Sequence, residues 1–237
     1  MITEFKIFEN KKPEKEIEYY ENGDIKRIVY KLDGRIHNED GPAYIEYRNR
    51  IKISEAYVLN GEIHKENGPA LFRWYINGQK YEETYYKDGK NHREDGPAST
   101  TWYSNGKIKS IIYCKNGVLH REDGPAEICW FENGNIRKIV FYINGDYNRE
   151  DGPAYISYQP NGEKYEEKYY IKNLYHNEKG PAYIEYSNGK TIKIYYLNQL
   201  RYDRREWIEK LKEINSPHYE EQKQLYDMEK NMEKYNL

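Results

Sequence analysis

The tripeptide Gly-Pro-Ala occurs six times in this chain, with its glycine at Gly41, Gly68, Gly96, Gly124, Gly152 and Gly180. The first interval is 27 residues and the other four are 28. So regular a period replaces the usual count of globular domains, because the unit that folds is the repeat and each repeat is buried by its neighbours. The fullest form of the motif, His-Arg-Glu-Asp-Gly-Pro-Ala, stands at His92–Ala98 and His120–Ala126, and close variants fill the other four places. An earlier segment, Tyr19-Tyr20-Glu21-Asn22-Gly23, matches the later repeats but lacks the Gly-Pro-Ala before it, and reads as a degenerate first copy.

Each period holds two turn signals. The first recurs as Asn77-Gly78, Asn105-Gly106, Asn133-Gly134, Asn161-Gly162 and Asn188-Gly189; the second as Asp33-Gly34, Asn60-Gly61, Asp88-Gly89, Asn116-Gly117 and Asn144-Gly145. Both residue types tolerate positive φ, so these dipeptides between alternating apolar residues signal tight hairpins. After the marker glycine, alternate positions read Ala98/Thr100/Trp102, Ala126/Ile128/Trp130 and Ala154/Ile156/Tyr158, while the positions between are mixed Glu, Arg, Ser, Thr and Tyr. That is a period-two strand with one apolar and one wet face. The expected structural core of the repeats is the aromatic column Trp74, Trp102, Trp130, Tyr158 and Tyr186. A second column ends the return arm at Tyr30, Tyr57, Tyr85, Tyr113, Phe141, Tyr169 and Tyr195.

The predicted fold is an all-β repeat solenoid of about seven consecutive β-hairpins over residues 1–202, with a C-terminal α-helical cap over residues 203–237. In that cap, Asp203 and Glu206 form a capping box ahead of Trp207, Ile208, Leu211 and Ile214 at helical spacing. Ser216-Pro217 stops this helix and starts a second, with Leu225, Met228, Met232 and Tyr235 on one stripe. The stripe is expected to cover the last hairpin and block the open sheet edge.

Composition decides between folding and disorder. Mean hydropathy is −1.16 and hydrophobic content only 37%, which alone points toward disorder. The aromatic share of 16%, with 28 tyrosines, supplies the missing burial. A formal net charge of −2 with interspersed signs gives no electrostatic footprint for nucleic acid. Two cysteines, Cys114 and Cys129, are too few for a disulfide framework or a paired zinc site, and suggest a reducing compartment. Met1 to Lys6 has no apolar core of a signal peptide, and no apolar run approaches the length of a membrane span. A soluble cytoplasmic protein is expected.

These hairpin units, with Tyr-Tyr-x-Asn-Gly turns and His-Arg-Glu-Asp-Gly-Pro-Ala arms, resemble the MORN-like repeats found in proteins of giant DNA viruses and some phages, over roughly residues 15 to 200. The resemblance implies an elongated, coiling single-layer sheet of successive hairpins with a scaffolding or binding role. It implies a viral protein acting on a host or virion partner, in host cytoplasm or virion. By MORN analogy it also implies two alternatives, a membrane-surface phospholipid adaptor and a self-assembling structural protein. The wealth of Lys, Asn, Ile and Tyr fits an AT-rich coding genome.

Two sets of residues are candidate sites. His37, His64, His92, His120 and His176, with Asn148 in the fifth place, are each followed two residues later by a glutamate: Glu39, Glu66, Glu94, Glu122, Glu178 and, after Asn148, Glu150. A ladder of metal ligands is one reading. Two strands per repeat put equivalent residues roughly 10 Å apart, too far to share an ion. The alternative is a structural turn in which Asp40, Asp95, Asp123 and Asp151 accept backbone N–H bonds; no metal or cofactor is expected. The second set is the tyrosine surplus, with Tyr44, Tyr81, Tyr155, Tyr165 and Tyr183 expected on the outer face as protein-binding residues. Cross-strand packing is the alternative for them. There is no nucleophile elbow, P-loop or dinucleotide fingerprint, and a motif shared by every repeat is unlike a single asymmetric catalytic site. The sequence therefore reads as a non-enzyme.

Overall fold

The computed structural model describes residues 11–187 and 189–235. The stretch Met1 to Lys6, Asn188 and the side chain of Tyr235 lie outside the described residues.

The chain is an all-β repeat solenoid followed by two helices. Among the described residues seven hairpins of long strands follow one another, beginning with Glu14–Tyr19 and Ile25–Leu32 and ending with Tyr183–Ser187 and Lys190–Leu197. The ladder follows chain order throughout a sixteen-stranded antiparallel sheet. Two compact units divide the chain, residues 1–109 with 114–117, and residues 110–113 with 118–237. The division falls inside the repeat array, and both helices share the second unit with the last hairpins.

The two turns of each repeat solve different geometric problems. The first is a three-residue loop: Gly78 N–H bonds to Tyr75 O at 2.9 Å, and the register slips by one residue between Arg73 and Trp74. Gly78 carries φ 82° as the left-handed residue of such a bulged loop. Asn77 adds a side-chain bond to the N–H of Gln79. The 27-residue interval arises here, because Asn49-Arg50 makes a two-residue turn, both at positive φ, in place of the three-residue loop. The second turn joins a two-stranded ribbon such as Val58–Leu59 with Glu62–Ile63, and its two residues, Asn60 and Gly61, both have positive φ. In the last two ribbons Lys172-Asn173 and Asn198-Gln199 take that conformation without glycine.

The ribbons correct the expectation of one wet face. In the first unit Ala56, Val58 and Leu71 are buried, with Ile36, Tyr44, Ile63 and Tyr86 packed against them. In the second, Ala126, Val140 and Tyr142 are buried with Leu119, Tyr147 and Tyr155 against them. Leu71, Ser99, Cys129 and Ser157, all at positions read as outward, are buried. The return strand runs on into an apolar ribbon, which packs on that face. Ribbon tyrosines of the second unit continue the packing as a row of rings, Tyr142, Tyr147, Tyr170, Tyr175 and Tyr196, with successive centroids 4.3–5.1 Å apart.

The six motif alanines are fully buried, whereas Trp74, Trp102, Trp130, Tyr158 and Tyr186 are only half-buried. Within each unit the aromatic column is thus a partly exposed ridge, and the buried clusters lie against the ribbons.

The C-terminal segment begins with α1, Arg204–Glu213, entered through the capping box: Asp203 Oδ1 accepts the N–H of Glu206 and Glu206 Oε2 accepts that of Asp203. Trp207, Ile208 and Leu211 bury against Tyr195 and Leu197 of the last long strand. The second helix, α2, spans Tyr219–Tyr235 and packs back through Tyr219, Gln222 and Tyr226. Leu225, Met228 and Met232 are exposed, so the expected covering stripe is a misassignment: α1 does the covering. Among the described residues no helix is long and apolar enough to cross a membrane.

Both thiols are free and buried, and burial pushes that of Cys114 up to about 11. Cys129 is raised by burial and by the Glu127 carboxylate beside it. Because the thiolate is the reactive form, a disulfide-exchange dye at pH 8 is expected to titrate neither thiol in the native protein and both in denaturant. Rapid native labelling would contradict this packing.

Candidate functional site

The motif histidines bind the backbone of the next repeat. Nδ1 of His37, His64, His92, His120 and His176 accepts the N–H of Asn60, Asp88, Asn116, Asn144 and Asn198 at 3.0–3.2 Å. Asn148 does the same with its side-chain oxygen, accepting the N–H of Lys172 at 3.0 Å. The donor in each case is the first residue of the second turn, whose N–H points away from its own ribbon. An accepting Nδ1 requires a neutral ring with its proton on Nε2, and Nε2 faces the glutamate two residues on at 3.2–3.8 Å. At His64 the Asp88 carboxylate also lies 2.8 Å from Nδ1, so in this copy that nitrogen can hold the proton instead.

The rest of the motif is consumed in the same way. Arg93, Arg121 and Arg149 lie 4.0–4.1 Å over Tyr85, Tyr113 and Phe141 and donate from Nε to Asp95, Asp123 and Asp151 at 2.7 Å. Those aspartates are therefore partners of arginine as well as acceptors of a backbone N–H, and the guanidinium first, then that N–H, holds each carboxyl below its ordinary 3.8. Asp40 instead donates its own N–H to Asn38 Oδ1. Where arginine is absent, Asn38 and Asn177 bond to Pro42 O and Pro181 O, as Arg121 and Arg149 do to Pro125 O and Pro153 O. First turns are laced too: Tyr75 Oη donates to Trp102 O at 2.9 Å and Asn77 Nδ2 to Ser104 O at 3.0 Å. Among the described residues no group of three or more His, Cys, Asp or Glu side chains is placed to hold a metal ion.

The five tyrosines singled out in sequence do not gather into one display. Tyr44 and Tyr155 are half-buried under ribbons. Tyr183 donates to Glu185 at 2.7 Å, and Tyr81 stands edge-on to Tyr75 at 5.2 Å. Only Tyr165, at 42%, is exposed.

The aromatic-column residues Trp74 and Trp102 in the first unit, and Trp130, Tyr158 and Tyr186 in the second, are each half-buried. In the first unit Phe72 stacks on Trp74, Lys52 Nζ lies 4.7 Å from the Trp74 ring, and Lys80 Nζ lies 5.5 Å from that of Trp102. Each lysine also pairs with a carboxylate, Glu55 and Glu83, at 2.6 Å. In the second unit the buried Glu167 accepts from Tyr186 Oη and pairs with Lys164, both at 2.6 Å. Burial, then that carboxylate, pushes the Tyr186 hydroxyl up to about 12. Sequence parity located the ridge, but the ammonium groups over its rings come from return-strand positions that pattern alone does not single out.

Comparison with known proteins finds no matching family model, no matching curated protein and no matching solved structure.

Proposed function

We propose that this chain is a non-catalytic repeat scaffold that binds another protein through the face bearing the aromatic ridge. The observation that carries this reading is the contrast between two sets of residues. The repeated polar side chains are spent on the repeat's own backbone and on its neighbour's, whereas the indoles of Trp74 and Trp102, with lysines at their rings, are only half-buried. Indole with adjoining cation is the chemistry of protein-interface anchors. The balanced net charge of −2 argues against nucleic acid as the target. A viral origin and a host or virion partner remain part of this proposal through the MORN-like resemblance of the motif. The best-defined anchors are Trp74 and Trp102 in the first unit.

The test uses a protein that the wild-type chain recovers specifically from its native cell. The double variant Trp74→Ala/Trp102→Ala, checked for an unchanged circular dichroism spectrum, is expected to bind it about thirtyfold less tightly, since truncating an interface tryptophan costs about 2 kcal/mol or more. A control, Lys115→Ala on an exposed ribbon position, is expected to bind normally. Failure to recover any specific protein, or equal binding by all three chains, sinks the reading.

A further inference from the structure

The ribbons of the two units differ at one opposed pair of positions. In the first unit Val58 stands opposite Ile63 and Tyr86 opposite Asn91; in the second Tyr142 stands opposite Tyr147 and Tyr170 opposite Tyr175. Opposed side chains leave the backbone about 5 Å apart, close enough for planar rings to meet. The centroids are 4.6 Å apart for Tyr142 and Tyr147, with 34° between planes, and 4.3 Å apart for Tyr170 and Tyr175, with 33°. Between ribbons Tyr147 stacks on Tyr170 at 5.1 Å and Tyr175 on Tyr196 at 5.0 Å. These phenols therefore form one file inside the second unit, Tyr142 buried and the other four half-buried.

Burial first, then the hydroxyl of the partner ring, pushes the Tyr142 and Tyr170 hydroxyls up, so both stay phenols at neutral pH. Neighbouring phenols are the substrate of oxidative coupling. Each loses one electron and its hydroxyl proton to become a phenoxyl radical, whose unpaired density extends to the ring carbons beside the C–O bond. Two such carbons join in a carbon–carbon bond, each ring moves the hydrogen of its coupled carbon to oxygen, and a biphenol with both hydroxyls restored results. The two protons go to water, and the two electrons go to two equivalents of a one-electron oxidant.

We propose that the tyrosine row of the second unit is an oxidative cross-linking site for small one-electron oxidants, with a dityrosine bond between Tyr170 and Tyr175 as its main product. Their rings are the closest pair of the row, and Tyr147 and Tyr196 stack on them from either side. An oxidised outer ring can take an electron from the central pair, which gathers there the two radicals that coupling needs. The bond is carbon to carbon and resists thiols, so it can fasten a ribbon in a chain whose two cysteines are both free and buried. The proposal does not depend on the partner-binding face.

The test irradiates the whole native chain, dilute enough to keep molecules apart, with tris(bipyridyl)ruthenium and persulfate, which generate a small one-electron oxidant. The expected product is a monomer lighter by two hydrogen atoms, with dityrosine fluorescence. Its tryptic digest is expected to join residues 169–172 to residues 173–179, which trypsin otherwise separates after Lys172. The variant Tyr175→Phe, checked for an unchanged melting curve, keeps the stacked ring and is expected to lose this joined species. The same irradiation in denaturant is expected to lower its share among all cross-links, because the file no longer exists. Absence of dityrosine in the monomer, links formed chiefly between molecules through the exposed Tyr19 and Tyr165, or an equal share of the joined species in native and denatured chain overturns the proposal.

Discussion

Trp207→Ala is expected to destabilise the C-terminal part of the second unit by about 3–5 kcal/mol, the cost of deleting a fully buried tryptophan. Trp207 is 0% exposed, its ring centroid is 4.9 Å from that of Tyr195, and its Nε1–H bonds to Asn177 O at 3.2 Å. The alanine variant opens a cavity in the cluster that ties α1 to the last long strand, and it removes the donor to the Asn177 carbonyl. Denaturant unfolding followed by far-ultraviolet circular dichroism is expected to show helix signal lost well before the sheet signal. A loss below about 1 kcal/mol would mean that α1 is held by something other than Trp207.

His120→Leu is expected to cost about 1–3 kcal/mol, because it removes the acceptor of the Asn144 N–H while keeping the side chain's bulk. His120→Asn is expected to be nearly neutral, since the chain already uses Asn148 in this role against Lys172. The pair of variants separates a hydrogen-bond acceptor from a metal ligand or a catalytic base. Equal loss in both would show that imidazole itself is required, and would reopen the functional reading of the column. Thermal or denaturant unfolding of the two variants beside wild type is the measurement.

The hairpin order was legible because its signals are local. Two turn dipeptides per 28 residues and strict alternation between them leave one register available. The capping box was legible for the same reason, as Asp203 and Glu206 interact within a single turn of helix. What parity could not show was a second layer. Tyr44, Leu71 and Tyr155 alternate as outward residues, yet the ribbons that cover them come from other parts of the repeat, and two-residue ribbon strands carry too little pattern to declare a face. The same blindness put Tyr44 and Tyr155 on the outer face, where the structure half-buries them. It also turned the α2 stripe into a covering surface, although Tyr219, Gln222 and Tyr226 pack inward.

For the motif, the sequence limited the chemistry but not the partners. His-x-Glu in five of the six repeats weighed against a shared ion by spacing, and the structure assigns the imidazole to a backbone N–H in the following copy, 22–24 residues away. No local rule links two residues at that separation. The substitutions are informative in retrospect. Asn148 for histidine, and Asn38 and Asn177 for arginine, keep an acceptor or donor at the same reach, which a metal ligand set or an acid–base pair would not tolerate.

The central claim is that the repeated motif is a set of bonds between neighbouring repeats. Native-state hydrogen exchange at the turn amides of Asn60, Asp88, Asn116, Asn144, Lys172 and Asn198 tests it most directly. These N–H groups sit at hairpin tips, where exchange is ordinarily fast, and the account predicts protection comparable to that of adjoining strand amides, lost at Asn144 alone in His120→Leu. Exchange at free-peptide rates while the strands stay protected would contradict it.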